Sequence, residues 1–167
     1  MILQTHLINK IIGKFGNELS DKIFYGIPGT LGTPRFKVTC PDEGSNTIDE
    51  NLQKHYCSGV GMLLYLIKYS RPDLSNAVRE LSKCMDKATF GTYQEMLCVI
   101  KFVLDTKYIC LNIQPNFDSK NSWKLKVFSD SDWAGDPETR INVTGFIVYF
   151  QNVPVCWHLK AKRGVTL

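Results

Sequence analysis

Cysteines at C-x-x-C spacing, histidines at ligand spacing and adjacent aspartates are all missing from this 167-residue sequence. Its six cysteines, Cys40, Cys57, Cys84, Cys98, Cys110 and Cys156, lie far apart, which argues against a zinc site and against a disulfide framework. Cys84, Cys98 and Cys110 fall within apolar patterns and read as small buried hydrophobes. The three histidines, His6, His55 and His158, form no metal-ligand pair, and His158 beside Trp157 reads as a strand residue rather than a catalytic one. Long apolar runs are missing too. The longest, Val60 to Ile67, falls short of a bilayer span and ends in Lys68, so no membrane partner is expected. The opening Met1-Ile-Leu-Gln-Thr-His6 has neither the basic start nor the apolar core of a secretory signal.

What is present is ordinary for a folded chain. A hydrophobic fraction of 44% speaks against wholesale disorder, and 167 residues suffice for one sizeable domain or two small ones. The net charge of +4 is unevenly spread: residues 51–127 carry eleven Lys/Arg against six Asp/Glu, while the first fifty residues are about neutral. That excess fits contact with a phosphate backbone, and equally a solvated helix face.

Periodicity sets the elements. Leu7, Ile8, Ile11, Ile12 and Phe15 recur at helical spacing, with Thr5 as the expected N-cap and Gly16 as the stop. Residues 16–48 are rich in Gly, Pro, Thr and Asp and read as a linker or wrapping segment. Leu52, Tyr56, Val60, Leu63, Leu64 and Ile67 predict a helix from about Ile48 to Tyr69. Arg71-Pro72 breaks it, and Asp73 is expected to cap a second helix running to Met85. Thr92 is expected to cap a third from Tyr93 to Leu104, burying Met96, Val99, Ile100 and Val103. Tyr108 to Ile113 reads as a connecting strand.

Beyond a polar loop the period changes from helical to two. Trp123-Lys-Leu-Lys-Val-Phe128 alternates apolar and charged residues as a half-buried strand does. Gly145-Phe-Ile-Val-Tyr-Phe150, a turn at Gln151-Asn-Val-Pro154 and Val155-Cys-Trp-His-Leu159 complete an expected antiparallel meander. Between the first two strands runs Phe128-Ser-Asp-Ser-Asp-Trp-Ala-Gly-Asp136, which puts Asp130 and Asp132 at a strand end before a turn. A carboxylate there suits a hard divalent cation, since Mg²⁺ takes oxygen ligands. The same residues also make an ordinary turn, because Asp and Ser bond their own backbone.

Several motifs in one order resemble a known family. Gly59-Val-Gly-Met-Leu-Leu-Tyr-Leu66 and Ser70-Arg-Pro-Asp-Leu-Ser-Asn-Ala-Val78 are followed by Leu81-Ser-Lys-Cys-Met85 and Val99-Ile-Lys-Phe-Val-Leu-Asp-Thr-Lys107. Then come Ser129-Asp-Ser-Asp-Trp-Ala-Gly-Asp136, Thr144-Gly145 and Pro154-Val-Cys-Trp157. Together these resemble the C-terminal part of the copia-type LTR retrotransposon Pol polyprotein, where reverse transcriptase gives way to ribonuclease H. Thr5 to Ile12 and Pro28-Gly-Thr30 resemble the polymerase thumb and its downstream linker less sharply. The family's small-residue step at Gly59 and Gly61 implies close helix packing.

The resemblance implies a mixed α/β (α+β) chain in three parts: a thumb-like helix and extended linker over 1–47, a three-helix connection unit over 48–122, and a truncated ribonuclease H-like domain over 123–167. Asp130 would be the first of the family's four metal-binding acids, with Mg²⁺ or Mn²⁺ as cofactor, while Asp132 shapes the turn with Trp133 and Gly135, and Asp136-Pro137 is the turn itself. Val165-Thr-Leu167 corresponds to a strand that, in the family, precedes the helix bearing the essential glutamate. That glutamate, the two later acids and the polymerase Tyr-x-Asp-Asp turn have no counterpart here. Asp42-Glu43 and Asp49-Glu50 read as loop acids and helix N-terminal charges. The expected role is therefore a polyprotein fragment, inactive alone, whose partners by resemblance are an RNA–DNA hybrid or template-primer and the rest of the polyprotein, in cytoplasm or nucleus. A non-enzymatic nucleic-acid- or protein-binding fragment, or a relic without function, stands as the alternative.

Overall fold

Helix α1 (Thr5–Phe15) forms because its apolar residues share one face, burying Ile8, Ile11 and Phe15, and it runs on into a 3-10 turn at Gly16–Glu18. Gln4, not Thr5, occupies its N-cap, and no side chain caps it. Helix α2 (Glu50–Tyr69) starts at Asp49, whose carboxylate accepts from the Leu52 N–H at 2.8 Å. Helix α3 (Ser75–Ser82) follows a 3-10 turn at Pro72–Leu74. Asp73 does not cap it: its carboxylate is drawn back to Arg71, 2.7 Å away, and the helix stops at Ser82 rather than Met85. Helix α4 (Phe90–Asp105) is capped by Thr89, which accepts from the Thr92 N–H at 3.2 Å, so the expected cap residue lies inside the first turn.

The structure, a computed structural model, describes residues 4–19, 46–109, 111, 113–114, 123–132 and 142–162, with Ser131, Asp132, Asn142 and Lys162 described by backbone alone. Two units can be distinguished, Leu3–Leu111 and Asn112–Leu167 with Met1–Ile2. In the helical unit, Phe15, Tyr56, Leu63, Leu81, Met96 and Ile100 anchor one apolar core that all four helices share. Helix α1 thus packs with α2–α4 rather than apart from them. At Gly59 an added Cβ would collide with Met96 Sδ and sit 3.1 Å from Phe15 Cζ, so glycine lets α1, α2 and α4 converge there. Nothing lies within 4 Å of such an atom at Gly61. Of the strand expected over Tyr108–Ile113, Leu111 makes an isolated β-bridge, and Cys110 and Asn112 lie outside the described residues. The Ile109 N–H instead donates to Thr106 O at 2.9 Å, prolonging the turn that ends α4.

The second unit is a three-stranded antiparallel sheet in the order β1-β2-β3: β1 (Leu125–Asp132), β2 (Asn142–Phe150) and β3 (Val153–Lys162). Gln151 and Asn152 join β2 to β3 with φ of 49° and 64°, the double left-handed conformation of a type I′ hairpin turn. The Gln151 N–H also donates to Lys124 O at 2.9 Å, tying the hairpin to the start of β1. Among the described residues the chain is a mixed α/β protein with four α-helices and a three-stranded meander. Residues 20–45 of the linker, and Val165-Thr-Leu167, lie outside the described residues.

Candidate functional site

The two-residue period of β1 sends Lys126, Phe128 and Asp130 to one face and Leu125 and Val127 to the other. The β1–β2 register sets Asp130 opposite Gly145, and the β2–β3 register sets Gly145 opposite Leu159. Asp130 therefore lies within β1, two residues short of its end, and is exposed. Among the described residues its carboxylate has no hydrogen-bond or ion-pair partner. Thr144 pairs with Ser131 one row on and faces the opposite side of the sheet. Gly145 leaves no side chain beside Asp130, but Leu159 leans into that space, its Cδ1 3.1 Å from where a Cβ would be. The row on the Phe128 side is apolar, with Phe128 edge-on to Tyr149, ring centroids 5.8 Å apart, while Asp132 opposite Val143 heads the row on the other side.

Asp132 is placed at the last position of β1, while Trp133, Gly135, Asp136 and Pro137 lie outside the described residues. Among the described residues no three His, Cys, Asp or Glu side chains converge on one point. His158 faces Phe146, ring centroids 5.9 Å apart. Among the described residues Cys57, Cys84, Cys98 and Cys156 form no disulfide, and Cys84 is buried.

Two polar clusters of the helical unit escaped sequence reasoning. Arg71 is 4% exposed, grips the Asp73 carboxylate at 2.7 and 3.0 Å, donates to Thr106 Oγ1 at 2.9 Å and lies over the Phe102 ring. The Arg-Pro-Asp motif thus fastens the α2–α3 turn to the end of α4, a structural task. The second cluster joins Glu18, His55 and Tyr93. The Tyr93 hydroxyl donates to Glu18 Oε2 and contacts His55 Nδ1, each at 2.7 Å. Burial first, and then the bond to Glu18, hold the Tyr93 hydroxyl protonated well above the usual tyrosine range. A groove of about 330 Å³ beside Ile12, Leu19 and Leu104 carries only the Lys101–Asp105 ion pair and Lys107 as charged groups.

No family model and no solved structure matches the chain. Among curated proteins, it is 34% identical over 106 residues to the retrovirus-related Pol polyprotein from transposon RE2 of Arabidopsis thaliana, covering 64% of this chain and 7% of that polyprotein. Against the retrovirus-related Pol polyprotein from transposon TNT 1-94 of Nicotiana tabacum, identity is 25% over 167 residues, 98% of this chain and 12% of that one. The secreted RxLR effector protein 161 of Plasmopara viticola is 33% identical over 112 residues, 67% of this chain and 76% of that protein. None of the described helices is long and apolar enough to cross a membrane.

Proposed function

We propose, for a chain that belongs to the retrovirus-related Pol polyproteins of copia-type transposons, that it is the stretch joining reverse transcriptase to ribonuclease H. On this reading residues 48–122 form the connection, 123–167 supply the first strands of ribonuclease H, and Asp130 is one ligand of its metal-binding acids. The substrate class is the RNA–DNA hybrid, and the rest of the polyprotein is the partner. The observation that carries the reading is the meander: Asp130 stands in its first strand directly opposite Gly145, the two residues on which the resembled signature turns.

Ribonuclease H chemistry holds two ions about 4 Å apart, one activating water and the other stabilising the leaving oxygen. That demands several converging carboxylates. Asp130 alone offers few of the six oxygens an Mg²⁺ prefers, and Phe128, Ile147 and Leu159 around it add none. The described donor set does not fit a two-ion centre. The chain by itself is accordingly assigned neither hydrolytic nor polymerase activity.

Purified 167-residue chain and its Asp130→Asn variant, incubated with a labelled RNA–DNA hybrid in Mg²⁺ or Mn²⁺, test this. Neither is expected to cleave above background. Adding the remainder of the ribonuclease H region in trans should restore cleavage for the parent chain and not for the variant. Cleavage by the chain alone that is lost in Asp130→Asn refutes the assignment of inactivity. Restored cleavage that survives Asp130→Asn refutes the assignment of Asp130.

One observation favours a second reading. The chain covers 76% of a relative named as a secreted effector rather than a polyprotein. A region of this kind therefore makes up most of a short protein, as a non-enzymatic binding fragment would.

A further inference from the structure

Helix α2 carries His55 into contact with both α1 and α4. Its ring lies against Phe15, centroids 4.5 Å apart, and its Nδ1 lies 2.7 Å from the Tyr93 hydroxyl. That hydroxyl has one proton, and it is given to Glu18 Oε2 at 2.7 Å. The Tyr93 oxygen can therefore meet Nδ1 only as an acceptor, which puts the imidazole proton on Nδ1. The neutral ring is fixed in one tautomer, and its lone pair stands on Nε2. The His55 side chain is 25% exposed. Nε2 is neither bonded to a described residue nor among the buried polar atoms without a partner, so it is open to solvent.

A cation stands beside this lone pair. Ser58 follows His55 by three positions, which makes the two neighbours on the helix surface. Its Oγ accepts from Lys14 Nζ of α1 at 2.6 Å and donates to no described residue, so its own proton is available. An ammonium and a hydroxyl next to a nucleophilic nitrogen suit an anion with an electrophilic centre, and phosphoryl oxygens take charge-assisted bonds of this kind.

We propose that His55 is a phosphoryl acceptor, its Nε2 taking the group from a phosphoramidate-type donor, one whose phosphorus is bonded to nitrogen. The Nε2 lone pair forms the new P–N bond as the donor's P–N bond breaks. The donor nitrogen, protonated beforehand, leaves as a neutral amine with the bonding pair, so no further proton moves. The ring keeps its Nδ1 proton and becomes a cation. The Tyr93 oxygen and Glu18 Oε1, 2.7 and 3.7 Å from Nδ1, lie against that charge, and Lys14 and Ser58 receive the phosphoryl oxygens. His6 and His158 have no hydrogen-bond partner among the described residues. Nothing fixes their tautomers, and both of their ring nitrogens compete as nucleophiles.

Incubating the full chain with potassium phosphoramidate, and following it by phosphorus NMR and peptide mass spectrometry, tests the proposal. The reaction needs no metal, hybrid or Asp130, so its outcome is independent of the ribonuclease H reading. His55 is expected to be phosphorylated at Nε2, about tenfold or more faster than His6 and His158, which serve as references within the same chain. Tyr93→Phe, which leaves Nδ1 without its acceptor, should bring His55 towards the reference rate and let the group attach to either nitrogen. Lys14 is exposed, so Lys14→Gln leaves the core intact. That variant should slow His55 while attachment stays at Nε2. A parent chain in which His55 reacts no faster than His6 and His158, attachment at Nδ1, a Tyr93→Phe variant that keeps both rate and position, or a Lys14→Gln variant of unchanged rate would each overturn it.

Discussion

Gly59 and Gly61 lie two positions apart on one helix and meet opposite surroundings. Both depress helix propensity, but only Gly59 has α1 and α4 pressed against it, through Phe15 and the buried Met96. Gly61→Ala should therefore raise stability by about 1 kcal/mol, the ordinary return on removing an exposed helical glycine. Gly59→Ala should lower it, since overpacking a core costs about 1–3 kcal/mol, against the ~1 kcal/mol of propensity gained. Denaturant midpoints of the two variants check the sign. In a Met96→Ala background the Gly59→Ala penalty should shrink, because the colliding sulfur is gone and only the Phe15 contact remains. A glycine pair marks close packing in the sequence, but which of the two meets a neighbour depends on the helix's rotation against its partners.

Between elements, the hydroxyl of Tyr93 on α4 is the point where the turn after α1 and helix α2 are tied together, through Glu18 and His55. Tyr93→Phe should cost about 1–2 kcal/mol at neutral pH, from a lost bond to a charged group and a carboxylate left short of a donor. The pH dependence has a definite sign. The folded-state pKa of Tyr93 is raised, by burial first and then by Glu18. Its stabilising contribution is complete below the unfolded tyrosine value of about 10 and is lost as pH rises above it, where only the unfolded chain releases the proton. Urea midpoints should accordingly fall between about pH 9 and 11 more steeply for the parent than for Tyr93→Phe. Equal slopes would mean that Tyr93 ionises as freely in the folded chain as in the unfolded one.

For the whole molecule, the division at Leu111/Asn112 separates two kinds of structure. The helical unit has its own closed core of fully buried side chains from all four helices. The sheet presents apolar residues on both faces, with Trp123 75% and Phe128 58% exposed. A chain of Met1–Leu111 alone should thus remain helical by circular dichroism and unfold in one cooperative step. Gradual loss of ellipticity on heating would show that the helical core depends on the remaining residues.

The sequence by itself determined the elements whose cause is local. Apolar spacing of 3.6 set α1, α2 and α4, the Pro72 break ended α2, and alternation from Trp123 set β1, because period and backbone restriction act within a few residues. It also put Asp130 near the end of the first strand of a meander, since alternation acts along the chain. Tertiary structure alone decided which threonine caps α4, because Thr89 and Thr92 carry the same chemistry and the entering chain at Ile48, bonded to Ala88, fixes where the helix begins. It turned Asp73 from an expected cap into the partner of a buried Arg71, a charge that cannot be left unpaired away from water. It brought Glu18 to Tyr93 across 75 positions of sequence, a meeting that only the packing of α1 against α4 produces.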